Sequence, residues 1–236
     1  MSRQLPLAWP APPFARLDQF DATGNETLPP LLQDLLSAPR GAVPILLTGP
    51  AGAGKTHLLA GCGETGRARG LACAYVALSR WASFDGDALD ALSGHDLLLV
   101  DEVERTAGIR AQELALFDLY NRLRDRGGRL LMASRDPPSR LPLVLPDLRS
   151  RLEAASLVPV QPLPEPARRR LIAGRARERG FELDDAVLDF VFRHHRRDLP
   201  ALLALVDRLD RESLVRQRRV TVPLVRAVLA DAGLAS

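Results

Sequence analysis

The chain has 236 residues, 46% of them hydrophobic, enough to bury a full α/β core and still carry a small second domain. Its 32 Lys and Arg against 29 Asp and Glu leave a formal charge of +3, too small an excess to imply nucleic-acid binding by itself. Cys62 and Cys73, the only cysteines, stand at neither a metal nor a redox spacing and read as reduced core thiols; with no apolar run long enough to span a bilayer, a cytoplasmic protein without a membrane partner is expected.

Met1 to Pro13 is an apolar peptide running into a proline-stiffened spacer. Pro6, Pro10, Pro12 and Pro13 interrupt any signal-peptide core, and the segment is expected to be extended and exposed. Exposed Leu5, Leu7 and Trp9 would lower solubility, so the peptide either docks on its own domain or enters a partner's groove. Residues 14–161 are then expected to form one α/β domain. It opens with Phe14, Leu17 and Phe20, where a Phe serves either core packing or a bound base, followed by a polar turn from Asp21 to Thr27 and a helix from Leu28 to Leu36.

The next stretch carries chemistry. An apolar strand from Val43 to Leu47 leads into Gly49, Pro50, Ala51, Gly52, Ala53, Gly54, Lys55, Thr56 and His57, which fit the phosphate-loop pattern G-x-x-x-x-G-K-[ST]. Glycines let successive N–H groups face inward, and the helix that follows adds the positive end of its dipole, a site suited to a di- or triphosphate. Lys55 is expected on the β/γ-phosphates and Thr56 on Mg²⁺. Lys55 is also the only lysine, the chain using Arg wherever a positive charge merely has to be present. A compact ammonium fits among phosphate oxygens where a guanidinium fork is too large.

After a helix to Ala68 come a second strand from Ala72 to Leu78 and a helix begun by Trp81 and Phe84 and ending near Leu92. Leu97 to Val100 form a buried strand that ends in Asp101 and Glu102. Asp101 there would hold the water shell of Mg²⁺ and Glu102 would orient and deprotonate an attacking water. Gln112 to Arg126 is amphipathic through Leu114, Phe117, Leu119, Tyr120 and Leu123. A fourth strand, Leu130 to Ser134, places Ser134 at its tip near the γ-phosphate, and Arg135-Asp136-Pro137-Pro138 must turn away. Pro146 to Leu152 is a short helix with Asp147 as its expected N-cap; Arg149 and Arg151 lie about 200° apart around it and cannot share one purpose. Leu157 to Val160 closes the sheet. Beyond the linker Pro162 to Pro166, residues 162–236 form a small helical domain with helices at Ala167 to Arg179, Asp185 to His195, Asp198 to Gln217 and Pro223 to Ala230. Its first helix is rich in Arg, with a solvated face as the default reading, and the four His residues show no metal spacing.

Taken together, Gly52 to Leu59, Asp101-Glu102, the Arg-Asp-Pro-Pro turn, the Asp-Leu-Arg-Ser-Arg-Leu helix and the helical lid resemble the AAA+ ATPases of the DnaA branch, over nearly the whole chain from Phe14 onward. The resemblance implies a five-stranded parallel sheet of inserted order flanked by helices, a bound ATP or ADP with Mg²⁺ between base and lid, and a second subunit completing the site. It puts Ser134 or Arg135 in the sensor-1 region and makes Arg151 the arginine finger that enters a neighbour's ATP site. The initiator itself carries a DNA-binding domain after the lid, for which this chain has no room. The resemblance is therefore to regulators of the initiator, and Gln4, Leu5 and Leu7 are similar to the peptide with which bacterial replication proteins bind the sliding clamp (the DNA polymerase III beta subunit). The implied partners are that clamp, DnaA and, through the clamp complex, DNA, with a homo-oligomer left open. The implied role is inhibition of replication initiation, by supplying Arg151 in trans to DnaA-bound ATP, with weak or no turnover of its own. A helicase-loading or transposition-helper ATPase on single-stranded DNA is the alternative, and a non-enzymatic adaptor shaped by bound ADP a third. One position departs from the pattern: the lid's sensor-2 Arg is replaced by Pro200, unless Arg196 or Arg197 substitutes.

Overall fold

The computed structural model describes residues 16–80, 86–216 and 219–231. The expected tail residues Gln4, Leu5, Leu7 and Trp9, as well as Phe14, Trp81 and Phe84, lie outside them. Two units emerge, residues 1–162 and 163–236.

The first unit is built on five parallel strands: β1 (Ile45–Thr48), β2 (Cys73–Ala77), β3 (Leu97–Asp101), β4 (Arg129–Ser134) and β5 (Ser156–Pro159). Their order is β2-β3-β4-β1-β5, so β3 and β4 are inserted between β1 and the strand that follows it in sequence. This order sets β1 and β3 on either side of β4, which brings the phosphate loop, Ser134 and Asp101 to neighbouring strand ends. Every residue of β3 is buried, as a central strand covered on both faces requires, and each Leu there contributes about 2 kcal/mol of burial. The edge strand β5 is mostly exposed.

Helices cover both faces. Against one lie α1 (Leu28–Ser37) and α2 (Lys55–Ala68), whose Leu32, Leu36, Leu58 and Leu59 meet Leu47, Leu97, Leu99 and Leu131. Against the other lie α3 (Gly86–Ser93), α4 (Arg110–Asp125) and α5 (Pro146–Glu153), around Leu46, Leu98, Val100 and Met132. Two expectations change here. Leu114 of α4 is 41% exposed, while Glu113 is fully buried, because the helix settles on the stripe Glu113, Leu116, Leu119, Tyr120 and Leu123. Asp147 is not the N-cap of α5: Pro146 begins the helix, Leu145 precedes it as the cap residue, and Asp147 sits in the first turn, where a carboxylate still suits the dipole.

The second unit has its own core, made by α6 (Glu165–Glu178), α7 (Asp185–His194), α8 (Leu199–Arg216) and α9 (Val222–Asp231). Ile172, Val187, Val191, Phe192, Leu202, Leu209 and Val225 form its centre. Asp184 caps α7 by accepting the Val187 N–H at 2.7 Å, and Asp198 does the same for α8 with the Ala201 N–H at 3.1 Å.

Candidate functional site

The site begins where β1 turns into α2. A Cβ at Gly49 would collide with the Val160 carbonyl, and Gly54, at φ 98°, lies in the left-handed region with the Phe20 ring 3.0 Å from where its Cβ would be. Two glycines of the motif are thus required by close approach and by backbone conformation. Phe20 packs on the loop itself and beside the His57 ring, whose Nε2 lies 3.1 Å from the Arg16 carbonyl. The Lys55 ammonium bonds to the loop carbonyls of Gly49 and, at 2.9 Å, Pro50. Burial lowers its pKa below the ordinary 10.5, an effect that Glu104 and Asp101 oppose.

Asp101, 3% exposed at the end of β3, is the hub. Its Oδ2 accepts the Thr56 hydroxyl at 2.6 Å and the Tyr75 hydroxyl at 2.9 Å, and its Oδ1 accepts the Glu102 N–H at 2.9 Å. Thr56 and Asp101 therefore meet as the two groups that would share Mg²⁺, mostly through water. Tyr75 was not legible as a site residue. Only the pairing of β2 with β3, with Ala77 opposite Asp101, brings its ring under the carboxylate, where burial and Asp101 together raise its pKa and keep it a donor.

Glu102 has φ 60° and ψ 45°, the one described non-glycine residue with positive φ. Such a conformation costs about 1–2 kcal/mol and collects at functional sites. Its Oε2 accepts the Ser79 N–H at 3.3 Å. On β4, Ser134 is fully buried opposite Thr48, and its Oγ has no hydrogen-bond partner among the described residues. An unpartnered buried hydroxyl at the strand end, inward glycine turns, a lone lysine and a Thr/Asp pair together fit a nucleotide with Mg²⁺. Arg135 pairs with Glu104 at 3.2 Å, and beside the loop a cleft of about 490 Å³ is lined by Thr48, Gly49, Arg135, Arg140 and Val160 among others.

The two arginines of α5 do diverge. Arg149 turns inward and donates to the carbonyls of Pro138 at 2.8 Å and of Leu141 and Leu143 at 3.1 Å each. Arg151 is exposed and makes no hydrogen bond or ion pair among the described residues.

In the second unit Pro200 occupies the first turn of α8, as a missing N–H there permits. Arg196 is held by Asp198 at 3.0 Å, and Arg197 stands 3.9 Å from Glu165. Part of the basic charge of α6 is paired within the unit: Arg169 pairs with Glu165 and Asp189, Arg175 with Glu178, and Arg179, just past the helix, with Asp207 and Asp210, whereas Arg168 and Arg177 donate to the carbonyls of Arg197 and Ala173. No group of His, Cys, Asp and Glu among the described residues could hold a metal ion by itself, and no described helix is long and apolar enough to cross a membrane.

Comparison with known proteins bears on the family and the fold. Residues 32–158, more than half the chain, match the model of the bacterial DnaA ATPase domain, and residues 165–229 match that of the Hda lid domain. Domain III of the replication initiation protein DnaA from Thermotoga maritima superposes with a TM-score of 0.80 at 22% identity, over 94% of this chain and 98% of that one. A DNA replication initiation factor gives 0.72 at 25% identity, over 87% and 68%. The initiator DnaA bound to AMPPCP and single-stranded DNA gives 0.70 at 25%, over 88% and 69%. With its inserted-order parallel sheet, its phosphate loop and an Hda-type lid, the chain belongs to the DnaA branch of the AAA+ ATPases.

Proposed function

We propose that the chain is a negative regulator of replication initiation that, with the DNA-loaded sliding clamp, promotes hydrolysis of DnaA-bound ATP by supplying Arg151 in trans. The observation that carries this reading is the contrast on α5: Arg149 is tied to three carbonyls while Arg151, two residues on, is exposed and has no hydrogen bond or ion pair among the described residues. An unpaired guanidinium on an ATPase of this branch is suited to the charge that develops on a transferring phosphoryl group. The match of residues 165–229 to the Hda lid domain supports the same role, in line with the resemblance to regulators of the initiator. The chain's own site, with Lys55, Thr56, Asp101, Glu102 and Ser134, would hold ADP or ATP with Mg²⁺.

A finger supplied in trans is worth about 10³ to 10⁵ in rate. Arg151→Ala should therefore cut clamp-dependent hydrolysis of DnaA-bound ATP by about 10³, measured with radiolabelled nucleotide preloaded on DnaA. An unchanged rate removes the mechanism. Deleting residues 1–9 should abolish capture by purified clamp in a pull-down and, in the hydrolysis assay, lower the rate as far as Arg151→Ala does.

The alternative, an ATPase acting on single-stranded DNA, draws on the paired carboxylates Asp101 and Glu102 and on the strained backbone of Glu102. The ion pairs of Arg169, Arg175 and Arg179 weigh against it, because charge already paired within the unit is a poor match for phosphates. Turnover stimulated by single-stranded DNA without clamp would favour it.

A further inference from the structure

Residues 135–145 join β4 to α5, and apart from a single 3₁₀ turn at Pro138–Arg140 they have no repetitive structure of their own. A connection of this kind would leave the direction of α5 loosely set. Here its backbone is held from two sides by two charged side chains. Glu113, fully buried on α4, accepts the N–H of Gly108 at 2.8 Å, of Val144 at 3.1 and 3.0 Å through its two oxygens, and of Leu145 at 2.7 Å. From the other side the Arg149 guanidinium gathers the carbonyls of Pro138, Leu141 and Leu143.

No side chain of its own caps α5. Glu113 instead places a carboxylate from another helix at the positive end of the dipole and binds the N–H of the cap residue Leu145, the backbone group that a capping-box side chain accepts. Leu148 and Leu152, both fully buried, fix which face of α5 meets the core. With buried Leu145 just before the helix and Ala155 just after it they hold α5 on the core, and the polar contacts of Glu113 and Arg149 add the direction in which it leaves the connection. Arg151 lies six residues beyond the cap residue, about 9 Å along the axis, and its side chain extends the lever further. A tilt of about 10° then moves the guanidinium by roughly 2 Å, and a misplacement of about 1 Å can cost on the order of a hundredfold in rate.

We propose that Glu113 and Arg149 are positioning residues for Arg151, together fixing the pivot of α5 so that the guanidinium is held ready for a neighbour's triphosphate. This rests on the trans role of Arg151, and the test separates the two. Glu113→Gln replaces an acceptor oxygen with a donor facing N–H groups, and Arg149→Met removes three donors while keeping the alkyl stem; the second variant, at a half-buried position, remains informative should the first fail to fold. Each is assayed in the full chain for clamp-dependent hydrolysis of DnaA-bound ATP, alone and combined with Arg151→Ala, and for amide hydrogen exchange over residues 146–153.

The expected result is a tenfold or greater fall in the rate at saturating regulator, a less than threefold change in the half-saturating concentration, no additional fall in the Arg151→Ala background, and faster exchange in α5 with β1 and β3 unchanged. Unchanged exchange in α5, or a loss of the same factor with and without Arg151, overturns the positioning role. Should Arg151→Ala itself leave hydrolysis untouched while α5 loosens, the trans-finger reading falls and the control of α5 by Glu113 and Arg149 stands.

Discussion

Lys55 illustrates how a single residue ties the site's chemistry to pH. Desolvation lowers its pKa in the free protein, since the loop carbonyls and the nearby Glu104 and Asp101 only partly replace water. A folded-state pKa below the unfolded one means that Lys55 opposes folding at neutral pH, and that this cost is relieved as pH rises from the folded value to the unfolded one. Phosphate oxygens act in the other direction and raise the pKa in the nucleotide complex. ADP affinity, followed by titration calorimetry between pH 6.5 and 10, should therefore be flat at first. It should then fall by about tenfold per unit once the pH passes the free protein's Lys55 value. A Lys55→Met protein should bind weakly with no such slope; a slope that survives the substitution would assign it elsewhere. Cys62, buried and pushed up to about 12, stays a thiol throughout this range and does not contribute.

At the scale of elements, the site depends on contacts between segments distant in sequence. Asn25, 5% exposed in the turn before α1, donates to the Gln161 carbonyl at 2.9 Å and accepts the Gln161 N–H at 2.8 Å, fastening that turn to the exit of β5. Because Gln161 follows Val160, whose carbonyl abuts Gly49, the same pair helps to hold the wall of the phosphate loop. Asn25→Ala would leave both backbone groups of Gln161 without their partner and should cost about 1–3 kcal/mol, read as a lower urea midpoint at constant slope. Asn25→Asp keeps the acceptor but sets an oxygen against the Gln161 carbonyl, and should be no more stable than the Ala variant. The helix α4 teaches a related lesson. Its apolar residues alone allowed a face that included Leu114, and the phase actually taken buries a carboxylate instead, because three N–H groups from residues 108, 144 and 145 converge on it.

For the whole molecule, the α/β unit and the lid each close their own core, so nucleotide bound to the phosphate loop acts first on the stability of the α/β unit. ADP with Mg²⁺ at a hundredfold over its dissociation constant should stabilise that unit by about 2.7 kcal/mol, or roughly 5 to 10 °C in melting temperature by calorimetry. The shift should be absent in Lys55→Met. The amino-acid sequence by itself determined the phosphate loop, the strand that ends in Asp101, the alternation of strands and helices and the all-helical lid. These features are local: glycine conformation, apolar runs and helical periodicity act within a few residues of one another. It also determined that Arg149 and Arg151 must part, since their angle around α5 follows from their spacing. Only the tertiary structure decided which of the two turns inward, that Tyr75 supports Asp101, that Glu113 is buried, and that Ser134 is left with an unpartnered hydroxyl. Each of these depends on which groups a segment distant in sequence brings within reach, a quantity that no window of sequence contains.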